Sequence, residues 1–336
     1  MAGKQPRAIP DQEVEAFLDQ VDKSRPDLTS TNLINAYKRV QLKVIVDPHS
    51  PEIAEAIITA LRQREPFSVI RIGDGEGNLL TFGAYPGTPN IDILVARHII
   101  SMQQDSFHAN RDWLLCLQQL LLQSVLQANI VGVRGFWWGS TKETNKSLQA
   151  DFDRQAWRKK VSADIRGTTG VFRSTDYMLS LAKNQYLKGK IIASAHLYLG
   201  IVAHLPELIA AADRVILITD QIDAAKAIRQ SFQRPDAELI RVGQPSKKDR
   251  NKPPRKPYFL KRICAKLPMN LNGALCLIGS GPWSEIYCSH IKQRGGVAVD
   301  LGSGFDLLTG RSTRPIHRRL GLDQDPKYSL INRPSN

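Results

Sequence analysis

Cysteine is scarce in this sequence of 336 residues, and its four copies form no C-x-x-C pair. Cys116, Cys264, Cys276 and Cys288 each lie in or next to an apolar run, as buried free thiols do. This pattern argues against a disulfide framework and favours a reducing compartment.

Long uninterrupted hydrophobic runs are also missing. The longest leucine-rich stretch, "WLLCLQQLLLQSVLQANI" at 113–130, carries a stripe of glutamines at helical spacing, namely Gln118, Gln119, Gln123 and Gln127. It therefore predicts a buried amphipathic helix rather than a membrane span. The first residues, "MAGKQPRAIPDQEVEAF", have no apolar core of the kind a signal peptide needs. We therefore expect a cytoplasmic protein.

Acidic residues are outnumbered by basic ones, 32 against 46, which gives a net charge of +14. An excess of this size predicts an anionic partner: a nucleotide, phosphate, nucleic acid or lipid headgroup. The charge is uneven along the chain, because 241–266 holds ten basic residues and only Asp249 as an acid.

The order of apolar segments indicates the fold class. Short continuous apolar runs alternate with amphipathic ones, which is typical of a doubly wound, mostly parallel α/β sheet with helices on both faces (Rossmann-like). We predict strands at 67–72, 128–135, 190–196, 214–220, 237–243, 273–279 and 297–302. We predict helices at 51–65, 91–105, 110–128, 149–163, 175–187, 198–211, 221–232, 258–267 and 283–294.

The domain prediction has three parts. Residues 1–45 form an N-terminal helical extension with helices at 11–22 and 31–44, 46–320 form the α/β domain, and 321–336 form a C-terminal tail. Within the α/β domain, 241–257 is predicted to be a basic loop.

The stretch "IRIGDGEGNLL" at 70–80 places two carboxylates at the end of a predicted strand. Asp74 and Glu76 alternate with Gly73, Gly75 and Gly77. In an extended segment, residues two apart point the same way, and Gly75 lets a ligand approach the backbone. Paired carboxylates suit Mg²⁺ or Mn²⁺, which prefer oxygen ligands. The alternative is a solvated Asp-Gly turn.

A second candidate segment covers 275–306. It predicts a strand, a Gly279-Ser280-Gly281 turn, a helix and a strand ending at Asp300, with a helix N-terminus able to hold phosphate. Asp300 lies 21 residues after Gly279, near the dinucleotide-binding spacing, but Ser284 replaces the third glycine of the fingerprint. "VDLGSGFD" also looks like a motif of S-adenosylmethionine-dependent methyltransferases. The alternative is a tight turn without a ligand.

These two segments together resemble the bacterial GT-D fold glycosyltransferases. The family motif R-x-G-D-G-E matches "RIGDGE" at 71–76, and the closing pattern G-x-G…I-Y-C…D-x-G-S-x-F-D matches 279–306. The resemblance spans roughly 65–315. It implies a GT-D type fold and a hexosyltransferase of bacterial surface-polysaccharide or glycoprotein assembly. The donor would be a nucleoside-diphosphate sugar, UDP-sugar first, and the acceptor a saccharide or a lipid-linked sugar.

By the same resemblance, Asp74 and Glu76 bind the Mn²⁺ or Mg²⁺ of the donor, where the ion stabilises charge on the leaving diphosphate. Arg71, Gly73 and Gly75 would contact the donor; for Arg71 a structural ion pair is equally open. Gly279, Gly281 and Asp300 are further cofactor-binding candidates.

His196 and Asp220 end two predicted strands, and either is a candidate base for activating an acceptor hydroxyl. The alternative for each is a helix cap or a loop hydrogen bond, with Asp220 as the N-cap of the next helix.

The basic run "SKKDRNKPPRKP" at 246–257 leaves a different class of function open. It predicts a solvated loop, a lid over an anionic donor, or a peripheral contact with membrane phosphate; nucleic-acid binding is the less favoured partner. Relatives carry a His-Pro element near this position, whereas "PPRKPYFLKRI" has no histidine. A non-catalytic binder of membrane or nucleic acid, or a nicotinamide- or S-adenosylmethionine-dependent enzyme, therefore remains as an alternative.

Overall fold

A computed structural model describes residues 9–24, 28, 30–95, 111–134, 153–242, 259–322 and 325–330. The basic run at 246–257 and most of the predicted helix 91–105 lie outside these residues.

In the described residues eight strands form one parallel sheet, which confirms the doubly wound α/β fold. Their bounds are β1 Lys43–Ile45, β2 Phe67–Ile72, β3 Ile130–Val133, β4 Ile191–Ser194, β5 Arg214–Thr219, β6 Glu238–Ile240, β7 Ala274–Gly279 and β8 Val297–Asp300. The order in the sheet is β1-β4-β3-β2-β8-β7-β5-β6. Strands such as β3, buried along their whole length, carry no polar side chain because helices cover both faces of such a sheet.

Helices connect the strands, as the alternating pattern predicts. Their bounds are α1 Asp11–Ser24, α2 Ser30–Arg39, α3 Pro51–Gln63, α4 Asp74–Leu80, α5 Arg111–Gln127, α6 Arg154–Ala163, α7 Ile165–Lys183, α8 Tyr198–Ala203, α9 Leu205–Ala211, α10 Ile222–Ser231, α11 Phe259–Lys266, α12 Trp283–Gln293, α13 Gly304–Leu308 and α14 Pro315–Arg319. Among the helices that the structure describes, none is long and apolar enough to cross a membrane.

The chain divides into two compact units. Unit 1 comprises Met1–Val46, Ile72–Leu126 and Val133–Ala195, and unit 2 comprises Asp47–Arg71, Gln127–Gly132 and His196–Asn336. Unit 1 has an aromatic core contact, since the rings of Phe17 and Phe172 meet edge to face with centroids 5.4 Å apart.

In unit 2 the strand register brings several strand ends to one edge. Ile278 pairs with Asp300, and Thr219 pairs with Gly279. Because the strands are parallel, their carboxyl ends share this edge, where ligands bind in doubly wound folds.

Several predicted helices have different bounds in the structure. The helix predicted at 31–44 ends at Arg39, Gln41 turns the backbone with a φ of 60°, and Lys43–Ile45 pairs with β4. The predicted extension thus also supplies a strand. The helix predicted at 175–187 begins at Ile165 instead, because the Asp164 carboxylate accepts a hydrogen bond from the Gly167 N–H and caps it.

The helix predicted at 198–211 is two helices, α8 and α9, which meet at His204. Pro206 has no N–H, so it cannot continue the hydrogen-bond ladder of α8, and it lies in the first turn of α9 instead.

Candidate functional site

Asp74 and Glu76 lie in a helix, not in the extended segment that the glycines suggested. They are the first and third residues of α4, where residues two apart do not face each other, so the argument from strand geometry was wrong. The reason is local: Glu76 Oε2 accepts a hydrogen bond of 3.0 Å from the Gly73 N–H and caps the first turn.

The Asp74 carboxylate is accessible. Its side chain is 30% exposed, and its Oδ2 lies 3.6 Å from Nη2 of Arg166 on α7. This distance is at the long end of an ion pair, and partly exposed pairs of this kind are weak. A stronger cationic ligand can therefore compete for the carboxylate oxygens.

Glycine contacts between α4 and α7 hold the first turn of α4 in place. A Cβ on Gly170 would lie 2.1 Å from the backbone oxygen of Asp74, and a Cβ on Gly77 would lie 2.4 Å from Cβ of Ser174. Asn78 Nδ2 donates to the Arg166 carbonyl over 2.9 Å, which ties the two helices together. The two backbones therefore touch only because both contact positions are glycine.

A divalent ion would find two carboxylate donors in this turn. Among the described residues, no group of three or more His, Cys, Asp or Glu side chains could hold a metal. Two carboxylates nevertheless fit Mg²⁺ or Mn²⁺, since such ions fill their other positions with water and substrate phosphates. Asp74 and Glu76 supply oxygen donors of this kind, and to share one ion their side chains would have to turn toward each other, because residues two apart do not face each other in a helix.

In unit 2, Arg71 is fixed by an ion pair. Its Nε donates to Oδ2 of Asp300 over 2.8 Å, and the two side chains are 18% and 4% exposed. The carbon Cζ of Arg71 also lies 5.1 Å from the ring centroid of Tyr198. Burial opposes the charge of Arg71, yet its pKa is raised because Asp300, Tyr198 and Glu285 favour the cation.

Tyr198 and His317 are site residues that the sequence analysis missed. The Tyr198 hydroxyl and Nε2 of His317 are 2.8 Å apart, and both side chains are buried. No sequence signal identifies the pair, because 119 residues separate the two.

The Gly279-Ser280-Gly281 turn has clear packing reasons for its glycines. A Cβ on Gly279 would lie 2.6 Å from the Phe305 ring, and Gly281 has a φ of +57°. The Ser280 N–H donates to Oγ of Ser284 over 2.9 Å, so the residue replacing the third fingerprint glycine closes the turn. The role of these glycines toward a phosphate stays a prediction.

Asp220 does not cap the helix that follows it. Helix α10 begins at Ile222, and its N-cap is Gln221, whose side chain makes no capping hydrogen bond, so the N-cap alternative for Asp220 was wrong. Burial, with the charge of Asp306 adding to it, raises the pKa of Asp220. The Asp306 carboxylate accepts two hydrogen bonds. Gln221 Nε2 donates to its Oδ1 over 2.7 Å, and Thr313 Oγ1 donates to its Oδ2 over 2.6 Å.

His196 lies next to the Tyr198 ring, with ring centroids 6.2 Å apart. The predicted site residues fall in both units. Unit 2 contains Arg71, His196, Asp220, Gly279, Gly281 and Asp300, and unit 1 contains Gly73, Asp74, Gly75 and Glu76.

No protein-family model, curated protein or solved structure matches the chain.

Proposed function

We propose that the chain is a metal-dependent glycosyltransferase that moves a sugar from a nucleoside-diphosphate sugar, UDP-sugar first, to a saccharide or lipid-linked acceptor. One observation carries the proposal: the carboxylates of Asp74 and Glu76 both lie in the first turn of the helix that follows strand β2. Both residues are partly exposed, and within the described part of the chain the Asp74 carboxylate has a single, long ion pair with Arg166.

The chemistry of the reaction explains why two carboxylates are needed. A bound Mn²⁺ or Mg²⁺ would act as a Lewis acid on the leaving diphosphate. Asp74 and Glu76 would hold that ion, and Arg166 would lose part of its attraction to Asp74 when the ion binds. The close contact of α4 with α7 holds the backbone of the first turn of α4, from which both carboxylates extend.

Asp220 is the better supported of the two candidate bases. Its pKa is raised by burial first, and a base whose pKa lies closer to neutral pH accepts a proton from an acceptor hydroxyl more effectively. His196 remains the second candidate. The cytoplasm and, through 246–257, the membrane surface are the proposed locations.

Calorimetric titration of UDP with and without Mn²⁺ tests the proposal. Wild type should bind UDP in a metal-dependent way, and the Asp74→Asn/Glu76→Gln variant should lose that dependence. The matched control is Asp223→Asn, which alters an exposed carboxylate in the first turn of α10 and should leave binding unchanged. Failure of UDP, GDP and dTDP to bind with any divalent metal would refute the transferase proposal.

A further inference from the structure

We propose that Arg71 and Asp300 together bind the ribose hydroxyls of the nucleotide and make the protein selective for ribonucleotides over deoxyribonucleotides. The inference rests on the proposed function for the nature of the ligand, a nucleoside diphosphate. Its own content is which part of the nucleotide the Arg71–Asp300 pair recognises, and it therefore predicts UDP or GDP rather than dTDP.

The position of the pair supports a ribose ligand. Asp300 ends β8, and β8 pairs with β7, which leads into the Gly279-Ser280-Gly281 turn. In doubly wound folds, phosphate lies at the glycine turn after one strand, and an acidic residue about 20 residues further on accepts from a ribose hydroxyl. The segment from Gly279 to Asp300 has this arrangement of strand, turn, helix and strand.

The pair presents both kinds of hydrogen-bonding group to a diol. Arg71 uses Nε for Asp300, and among the described residues its two terminal nitrogens have no hydrogen-bond acceptor. Asp300 uses Oδ2 for Arg71, and no described residue donates to its other oxygen. A hydroxyl both donates and accepts, so adjacent hydroxyls can satisfy Asp300 and Arg71 at once.

Electrostatics argue against a phosphate on this arginine. Asp300 neutralises Arg71, and Glu285, which is 1% exposed, is a second carboxylate close enough to favour the Arg71 cation. A phosphate would meet two carboxylates for one guanidinium, whereas a neutral diol meets no such repulsion. We therefore place Arg71 at the sugar ring of the nucleotide rather than at its diphosphate.

The surrounding residues hold the guanidinium in one orientation. The Tyr198 ring lies beneath it and is itself tied to His317. A Cβ on Gly302, which has a φ of +47°, would lie 1.9 Å from Nη2 of Arg71, so only glycine leaves room for the guanidinium. Tyr198 and Gly302 are thus positioning residues, and an analogue without the hydroxyl would leave polar groups unpaired.

The test compares UDP with 2′-deoxy-UDP by calorimetry in the presence of Mn²⁺. Wild type should bind UDP at least about tenfold more tightly, the effect of one buried polar group left unpaired. In Asp300→Asn the ratio should fall toward one, mainly through weaker UDP binding. Gly302→Ala, which displaces Arg71 but keeps Asp300, should have the same effect and covers the case in which Asp300→Asn does not fold.

The outcomes separate this inference from the proposed function. Metal-dependent binding of UDP and 2′-deoxy-UDP with equal affinity would overturn the inference and leave the proposed function standing. An unchanged ratio in folded Asp300→Asn and Gly302→Ala would also overturn it. If neither nucleotide binds, both proposals fail together. Asp223→Asn serves as the control, with the wild-type ratio expected.

Discussion

The guanidinium of Arg173 and the carboxylate of Asp92 form a buried ion pair in unit 1, with Nη1 and Oδ1 2.6 Å apart. Arg173 is fully buried, and its Nη2 donates to Thr88 Oγ1 over 3.0 Å. The Tyr85 ring lies 4.9 Å from Cζ of Arg173. A buried cation with this many partners is costly to leave incomplete, because each remaining polar group loses both its partner and water.

Removal of one member of this pair should strongly destabilise the protein. For Arg173→Met we expect a loss of about 3–5 kcal/mol in the free energy of unfolding, since Asp92 would remain buried without its cation. Urea denaturation followed by circular dichroism measures the loss. Arg154→Met, which removes a half-exposed arginine paired with Glu15 and Asp19 in the same unit, should cost no more than about 1 kcal/mol. Equal losses of unfolding free energy in Arg173→Met and Arg154→Met would contradict the conclusion that the buried Arg173–Asp92 pair is the costlier one to break.

Replacing each of two glycines near Asp74 with alanine should change the stability of the protein in opposite directions. A Cβ on Gly170 meets the Asp74 backbone, so Gly170→Ala should cost about 1–3 kcal/mol of stability and weaken metal-dependent UDP binding. A Cβ on Gly75 meets nothing within 4 Å, and Gly75 lies in α4, so Gly75→Ala should stabilise by about 0.5–1 kcal/mol. Thermal melts measure the stability of both variants, and UDP titrations measure their metal-dependent binding. A Gly170→Ala protein as stable as wild type would disprove the close α4–α7 contact.

Neutralising Asp220 should stabilise the fold at neutral pH. Its pKa in the folded protein lies above the unfolded value of 3.8, chiefly because of burial. The contribution of Asp220 to the free energy of unfolding is therefore favourable below pH 3.8, where the carboxyl is protonated. It is lost as the pH rises through the folded-state pKa. Asp220→Asn should thus have a higher denaturation midpoint than wild type at pH 7.5, with the difference shrinking toward pH 4.

The same Asp220→Asn variant tests catalysis. If Asp220 is the base, sugar transfer falls while metal-dependent UDP binding persists. Asp306→Asn should shift the acid limb of the pH–rate profile to lower pH, because the neighbouring charge that raises the Asp220 pKa is gone. Full transfer activity in Asp220→Asn would leave His196 as the remaining candidate.

The cysteines should differ sharply in reactivity. Burial raises the pKa of Cys276 to about 12 and also raises the pKa of Cys288, so neither forms a thiolate at pH 8 in the native protein. Cys116 is exposed and should react first with a thiol reagent such as DTNB. In Cys116→Ser the fast phase should disappear, whereas labelling of Cys276 should require unfolding. Rapid native labelling of Cys276 would show that β7 is not buried as described.

The hydrophobic pattern of the sequence predicts strands and helices correctly where it extends over enough consecutive residues. The run 67–72 and the run 214–220 were predicted as strands and are β2 and β5, because continuous apolar segments of this length suit a sheet covered on both faces. β1 was missed because three residues carry no detectable period. The glycines around Asp74 and Glu76 predict an extended loop, whereas the Glu76 cap and the glycine contact with α7 stabilise a helix there.

By itself, the sequence determined the fold class and the segment of chain that holds the two carboxylates, since both depend on neighbours along the chain. The tertiary structure alone decided which distant groups meet. Arg71 and Asp300 are 229 residues apart, and their contact exists because β2 and β8 are adjacent in the sheet. Strand order depends on how the helices pack across the whole sheet, so the hydrophobic period of a single segment does not predict it.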